Sequence, residues 1–355
     1  GILGGILLLG GSASLYTLKK DSADGRFLMW KITTKAIQKQ PITGTSLGGF
    51  PAAYAETQAE YMASGKATEQ EKLVAGCPEY AFNEYLQIGL EQGLVGLALF
   101  IGWLGLLFYK GIKNKRYACC GGLMSLAIFA FSSYPLQLPE FWVVLIFLGV
   151  MSVTPDKDEI RENQAESNGH RWGKQIFFMG IAILGIGLFW MQKDHYKAYQ
   201  QWNKAQMFYN NKAYEAALEV YEPLYPLLKH KPEFLFEAAQ SLSKTGQYEK
   251  ANEYLERAVL LSSDPMLYYV MAKNEQCLGE YRQAEKHLLH AIDILPERIY
   301  PYYLLMNLYT EPSYFQPAKL KMAIDSVLTK KPKVESSAIK EMKEKARSML
   351  NNTSI

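Results

Sequence analysis

Histidine is scarce in this chain: five occur among 355 residues, at His170, His195, His230, His287 and His290. None lies between residues 19 and 91, which excludes a histidine base from that stretch. Cysteine is equally sparse. Cys77, Cys119, Cys120 and Cys277 show no CxxC spacing, so neither a zinc site nor a redox pair is indicated. Cys119 and Cys120 fall inside an apolar run and read as packing residues, while Cys77 and Cys277 could meet only if both halves of the chain lie outside the cytoplasm. Excess charge is lacking too. A net charge of +3, with no RNP, zinc-finger or basic-helix pattern, excludes a nucleic-acid-binding role. The opening run GILGGILLLGG has no basic residues ahead of it, so it is not a signal peptide, and its start at Gly1 reads as a fragment whose earlier spans are missing.

The two halves differ in composition, so the mean hydropathy of −0.12 describes neither. Residues 1–191 are apolar runs with short charged breaks; residues 192–335 are polar with helical periodicity, and 336–355 form a C-terminal helix or tail. Segments of about 18 residues near 1–18, 92–109, 117–134, 138–153 and 175–191 approach the length of a membrane span. The loop with Lys110, Lys113, Lys115 and Arg116 is basic without a single acid, which predicts that it is cytoplasmic and that loop 19–91 and the C-terminal half lie on the other side. The expected fold is all-α: a polytopic transmembrane helical bundle with about five spans present, N-terminally truncated, followed by an α-solenoid.

The solenoid rests on an internal repeat. KAYEAALEVY, GQYEKANEYLERA and GEYRQAEKHLLHA align on Tyr214, Tyr248 and Tyr281, at separations of 34 and 33 residues. Ala217, Ala251 and Ala284 follow each tyrosine by three, and Ala258 and Ala291 recur where paired helices must approach closely. The pattern resembles the tetratricopeptide repeat, with Gly246 and Gly279 in the turns. Phe234, Phe236, Tyr268, Tyr269, Tyr302 and Tyr303 on the first helices read mainly as filling between repeats and otherwise as a sugar- or peptide-binding groove.

Loop 19–91 is too long for a simple connection and is compositionally varied. Residues 21–41 read as a helix capped by Ser22 or Asp24 and stopped by Pro41, with Phe27, Trp30, Thr34 and Ile37 on one face and Lys31, Lys35 and Lys39 on another, suited to a phosphate-bearing membrane surface. Further on, Glu79, Asn83, Gln87 and Glu91 recur at intervals of four, so on a helix they share a polar face running into an apolar segment. Such a face at a bilayer edge lines a cavity more readily than it meets lipid.

Gly25-Arg26 followed by Trp30, then Pro41, Gly44, Gly48 and Phe50, then Tyr54 and Gln58, then Asn83-Glu84-Tyr85-Leu86 and Glu91-x-Gly93-x-x-Gly96, together resemble the O-antigen ligase and polymerase family of bacterial membrane glycosyltransferases. The resemblance covers about residues 1–190, with the repeats as a C-terminal addition. It implies a multi-pass protein of the bacterial cytoplasmic membrane that takes a glycan from an undecaprenyl-diphosphate carrier at the outer face and transfers it to a glycan, lipid or protein acceptor. No metal and no cofactor are implied.

Arg26 matches the family arginine, and a guanidinium holds diphosphate oxygens in bidentate fashion and offsets leaving-group charge. Relatives commonly read H-x-H-N where this chain has Tyr80-Ala81-Phe82-Asn83, so both histidine positions are aromatic. Acceptor activation would then fall to Glu79 or Glu84, or positioning alone would carry the step. Trp30, Tyr80, Asn83, Gln87 and Glu91 are the candidate substrate-binding residues. Asp21 and Asp24 read as helix caps rather than metal ligands. The missing histidines keep a second reading open, a non-catalytic membrane-anchored scaffold whose repeats bind partner proteins.

Overall fold

The computed structural model describes residues 2–154, 171–332 and 334–352, all helix and connecting turns among them. In chain order the helices are α1 (Ile2–Lys39), α2 (Phe50–Ala63), α3 (Glu69–Val74), α4 (Glu84–Glu91), α5 (Gly93–Lys113), α6 (Tyr117–Ser132), α7 (Pro139–Val153), α8 (Arg171–Met191), α9 (Lys193–Asn210), α10 (Tyr214–Leu228), α11 (Pro232–Lys244), α12 (Tyr248–Val259), α13 (Met266–Cys277), α14 (Tyr281–Ile294), α15 (Ile299–Leu308), α16 (Pro317–Thr329) and α17 (Ser337–Asn352). They form two compact units. One comprises Gly1–Gln40, Thr45–Ala81 and His230–Ile355, the other Pro41–Gly44 and Phe82–Lys229.

The expectation of about five spans is not met. Among the described residues a single helix, Gly93–Lys113, is long and apolar enough to cross a membrane. Its 21 residues reach about 32 Å at 1.5 Å per residue, matching a hydrocarbon core of roughly 30 Å. The segments expected at 117–134 and 138–153 fold as helices of 16 and 15 residues, because Pro135 opens a 3-10 turn and Pro139 starts α7. At about 24 and 22 Å they fall short of the hydrocarbon core. The apolar run at 1–18 continues without a break through the charged residues that follow, so α1 is one helix of 38 residues and neither Ser22 nor Asp24 caps it. The segment expected at 175–191 belongs to α8, which begins at Arg171; its side chains before residue 179 lie outside the described residues, as does most of the loop 154–174 that alternation of the spans would place in the cytoplasm.

The repeats fold as sequence spacing predicts. Tyr214, Tyr248 and Tyr281 each open the second helix of a pair. Ala217, Ala251, Ala258, Ala284 and Ala291 are fully buried, since a side chain no larger than a methyl lets paired helix axes come close. A fourth pair, α15 and α16, is interrupted by a 3-10 turn at Pro312–Tyr314 and closed by α17, whose Ala346 is buried in the same core as Leu305, Ile324 and Val327. Tyr269 and Phe234 are core residues, at 5% and 0% exposure, which decides for packing at those two positions.

The turns inside the first three pairs use a left-handed residue at the same place. Gly246 has φ +81° and Gly279 φ +80°, whereas the first repeat places Lys212 at φ +61°. A side chain there costs about 1 kcal/mol that glycine does not. Lys212→Gly is therefore expected to raise the thermal unfolding midpoint of the full-length protein by a few degrees; a lowered midpoint would count against this repeat register.

Candidate functional site

The family-like residues divide between the two compact units. In the first, α1 buries Leu28, Ile32 and Ala36 at four-residue spacing together with Thr33, and packs on α2 and α3. The lysines expected to face lipid phosphates are exposed, and they reach neighbouring side chains of α2 and α3. Lys31 Nζ donates to Tyr61 Oη at 2.6 Å and to Glu71 Oε1 at 2.7 Å, Lys35 lies 5.4 Å from the Tyr61 ring centroid, and Lys39 pairs with Glu60 at 2.7 Å. Glu71 also closes the capping box at the start of α3, accepting from the Thr68 backbone N–H at 2.9 Å while its own N–H donates to Thr68 Oγ1 at 3.2 Å.

Burial opposes ionisation of Glu71, but the donors from Lys31, the Thr68 backbone and Tyr61 outweigh it and hold the carboxyl at about 2. A depressed carboxyl stabilises the fold above its unfolded value, and that contribution is lost as pH falls from about 4.5 towards 2. Glu71→Gln is expected to flatten acid unfolding of this unit in that window, measured by tryptophan fluorescence. An unchanged acid limb would contradict the assignment.

Arg26 is exposed on α1, and Trp30 lies one turn further along the same face, about 6 Å on. Trp30 Nε1 donates to the carbonyl of Ala81 at 3.1 Å, and Phe27 packs edge-on against Trp30 with centroids 6.1 Å apart. The segment that carries Glu79, exposed, and Tyr80, half-buried, is thereby tied to the turn next to Arg26. Asp21 and Asp24 accept from the Gln70 amide at 3.2 and 3.1 Å. Among the described residues no group of three His, Cys, Asp or Glu side chains is arranged to hold a metal, and no disulfide joins the four cysteines.

The second unit holds the remaining polar candidates, all buried. The four-residue stripe is not one helical face, because α4 starts only at Glu84 and Phe82 takes φ +49°, leaving Glu79 in non-helical chain. Asn83 is the N-cap, its side-chain oxygen accepting from Leu86 N at 3.1 Å. Glu84 receives the Leu136 N–H at 2.6 Å and the Gln137 amide at 3.2 Å, so it fastens the turn between α6 and α7. Burial raises its carboxyl above the ordinary range, with those two donors pulling the other way. Gln87 donates to Glu91 at 2.8 Å. Phe82 packs edge-on against Tyr134 at 4.9 Å.

Two glycines of the motif, Gly44 and Gly93, have a shared role here. Leu94 N donates to the Pro41 carbonyl at 2.8 Å, and the backbones of 41–44 and 91–94 touch without intervening side chains. A Cβ on Gly93, at φ +70°, would sit 2.1 Å from Ile42 O; one on Gly44, at φ +69°, would sit 2.5 Å from Glu91 and Gly93 backbone atoms. Pro41, Gly44, Glu91 and Gly93 thus form one backbone junction. Sequence reasoning assigned no role to Gln58, which is fully buried and bonded on all sides. The one hint was its spacing of four from Tyr54, whose hydroxyl donates to it at 2.7 Å.

Comparison with known proteins separates an N-terminal part from the repeats. Residues 1–101 match the family described as O-antigen ligase, and residues 210–291 match the family described as anaphase-promoting complex, cyclosome, subunit 3. No curated protein matches the chain. Among solved structures, MamA 41-end from Desulfovibrio magneticus RS-1 is 19% identical, covering 45% of this chain and 98% of that one with a TM-score of 0.35. The putative kinesin light chain with nearly identical TPR-like repeats from Podosopora anserina is 17% identical, covering 44% and 88%, also with a TM-score of 0.35. The chain therefore carries an O-antigen ligase-like N-terminal part followed by tetratricopeptide-like repeats.

Proposed function

We propose that this protein transfers a glycan from an undecaprenyl-diphosphate-linked donor to an acceptor at the outer face of the bacterial cytoplasmic membrane. The observation that supports this most directly is the Trp30–Ala81 bond, which ties the Glu79-Tyr80 segment to the turn of α1 next to Arg26, inside the stretch that matches the O-antigen ligase family. Arg26 would hold the diphosphate oxygens. The acceptor hydroxyl oxygen forms a bond to the anomeric carbon as the bond from that carbon to the diphosphate oxygen breaks; the electron pair leaves with the diphosphate, and the hydroxyl proton passes to Glu79. Trp30 and Tyr80 offer ring faces to the sugar. Asn83, Gln87 and Glu91 belong to the second compact unit and are kept as candidate substrate-binding residues, with Glu84 gripping residues 136 and 137 there. The apolar surface of α5, with Leu99, Leu106 and Ile112 all more than half exposed, suits a lipid environment.

A protein-binding scaffold is the second reading, favoured by Tyr80 and Phe82 standing at the family's histidine positions. Surface-glycan attachment in cells, read on a gel, separates the two. Arg26→Ala is expected to abolish attachment while the protein remains in the membrane. Full attachment in that variant, together with its loss on substitution of the half-buried Tyr268, Tyr302 and Tyr303, would establish the scaffold instead.

A further inference from the structure

The short non-helical segment 75–81 is held by three side chains from three different parts of one compact unit. Gln58 Nε2, from α2, donates to the Gly76 carbonyl at 3.0 Å. Ser263 Oγ, from the turn between the repeat helices α12 and α13, donates to the Pro78 carbonyl at 3.2 Å. Trp30, from α1, donates to Ala81 as described. The same Gln58 amide also donates to the Ile294 carbonyl at the end of α14, at 2.8 Å, and its oxygen accepts from Tyr54. One carboxamide thus uses one proton on Gly76, the other on Ile294 of the repeats, and its oxygen on Tyr54, so a single amide links segment 75–81 to the end of α14.

The pattern of burial along the segment has a consequence. Ala75 and Ala81 are buried, at 3% and 0%, and Ser263 at 4%, whereas Glu79 is exposed and Tyr80 half-exposed. Backbone staked at 76, 78 and 81 leaves 79 and 80 little freedom except to project outward. We propose that the repeats are a built-in part of the transferase, with Gln58 and Ser263 as positioning residues that fix the segment carrying Glu79 and Tyr80. Removing the repeats would take away the Ser263 hydroxyl and the Ile294 carbonyl together, so the repeats act on the site through the backbone of 76–81. The inference rests on the transferase reading for its functional half and on hydrogen bonds alone for its structural half.

The test uses the full-length protein in detergent, with amide hydrogen exchange at residues 79–82 and glycan attachment in cells as paired readouts. Ser263→Ala should speed exchange at those amides at least tenfold, leave exchange within α12 and α13 unchanged, and lower attachment fivefold or more. Ser263→Thr, which keeps the hydroxyl, should restore both. Gln58→Met should act in the same direction more strongly. Unchanged exchange in Ser263→Ala overturns the inference whatever the attachment; so does faster exchange with full attachment in a strain where Arg26→Ala abolishes it. Faster exchange in Ser263→Ala together with full attachment in Arg26→Ala defeats the transferase reading instead, and the two failures are told apart by which readout moves.

Discussion

Gly93→Ala should leave little correctly folded protein. The new Cβ would lie 2.1 Å from Ile42 O and 2.4 Å from its carbonyl carbon, both backbone atoms held by the Leu94–Pro41 hydrogen bond. Backbone cannot step aside as a side-chain tip can, and the residue must also keep φ +70°. A cost of about 3–5 kcal/mol follows from clash and left-handed strain together, a large share of the 5–15 kcal/mol by which domains are usually stable. Monodisperse protein recovered by size exclusion after extraction is the readout. Gly105→Ala on the same helix, where a Cβ meets nothing within 4 Å, should extract like the wild type. Equal recovery of both variants would refute the junction.

Glu84→Ala carries the second large effect. It removes the acceptor for the Leu136 N–H and the Gln137 amide at once, leaving a backbone donor unpaired beside the turn between α6 and α7. Loss of a charged partner of that kind costs about 1–3 kcal/mol. Glu84→Gln keeps an oxygen for Leu136 and should cost less than about 1 kcal/mol. The pH dependence supplies a sign. Burial raises the folded carboxyl, so Glu84 contributes its stability fully below its unfolded value and loses it as pH rises through the folded value. Wild type should therefore lose ground to Glu84→Gln as pH increases, in thermal melts across the acid to neutral range. The reverse trend would mean that the hydrogen bonds outweigh burial.

The repeats were legible because they are local. A tyrosine and an alanine three residues on recur every 33 or 34 residues, two of the three turns carry a glycine, and each repeat satisfies itself with its own neighbours. The membrane part was less so. Hydropathy marks where apolar residues lie but not how long the helix containing them will be, and Pro135 and Pro139 cut two candidate spans short. The motif order was visible while the roles were not: that Pro41 and Gly44 meet the backbone at 91–94 requires tertiary contact, and Gln58 meets Ile294 across 236 residues of chain. One local signal was there to be used. Asn83 directly before an apolar-periodic stretch is an N-cap signature, and reading it would have started the helix at Glu84 and removed Glu79 from the shared face.

Arg26 carries the central claim, and its most direct test is binding of undecaprenyl diphosphate to the purified full-length protein in lipid nanodiscs. Wild type is expected to bind saturably, Arg26→Ala at least tenfold more weakly, and Arg26→Lys in between, because an ammonium loses the bidentate geometry while keeping the charge. Equal affinity in all three proteins would contradict the assignment of Arg26 to the diphosphate.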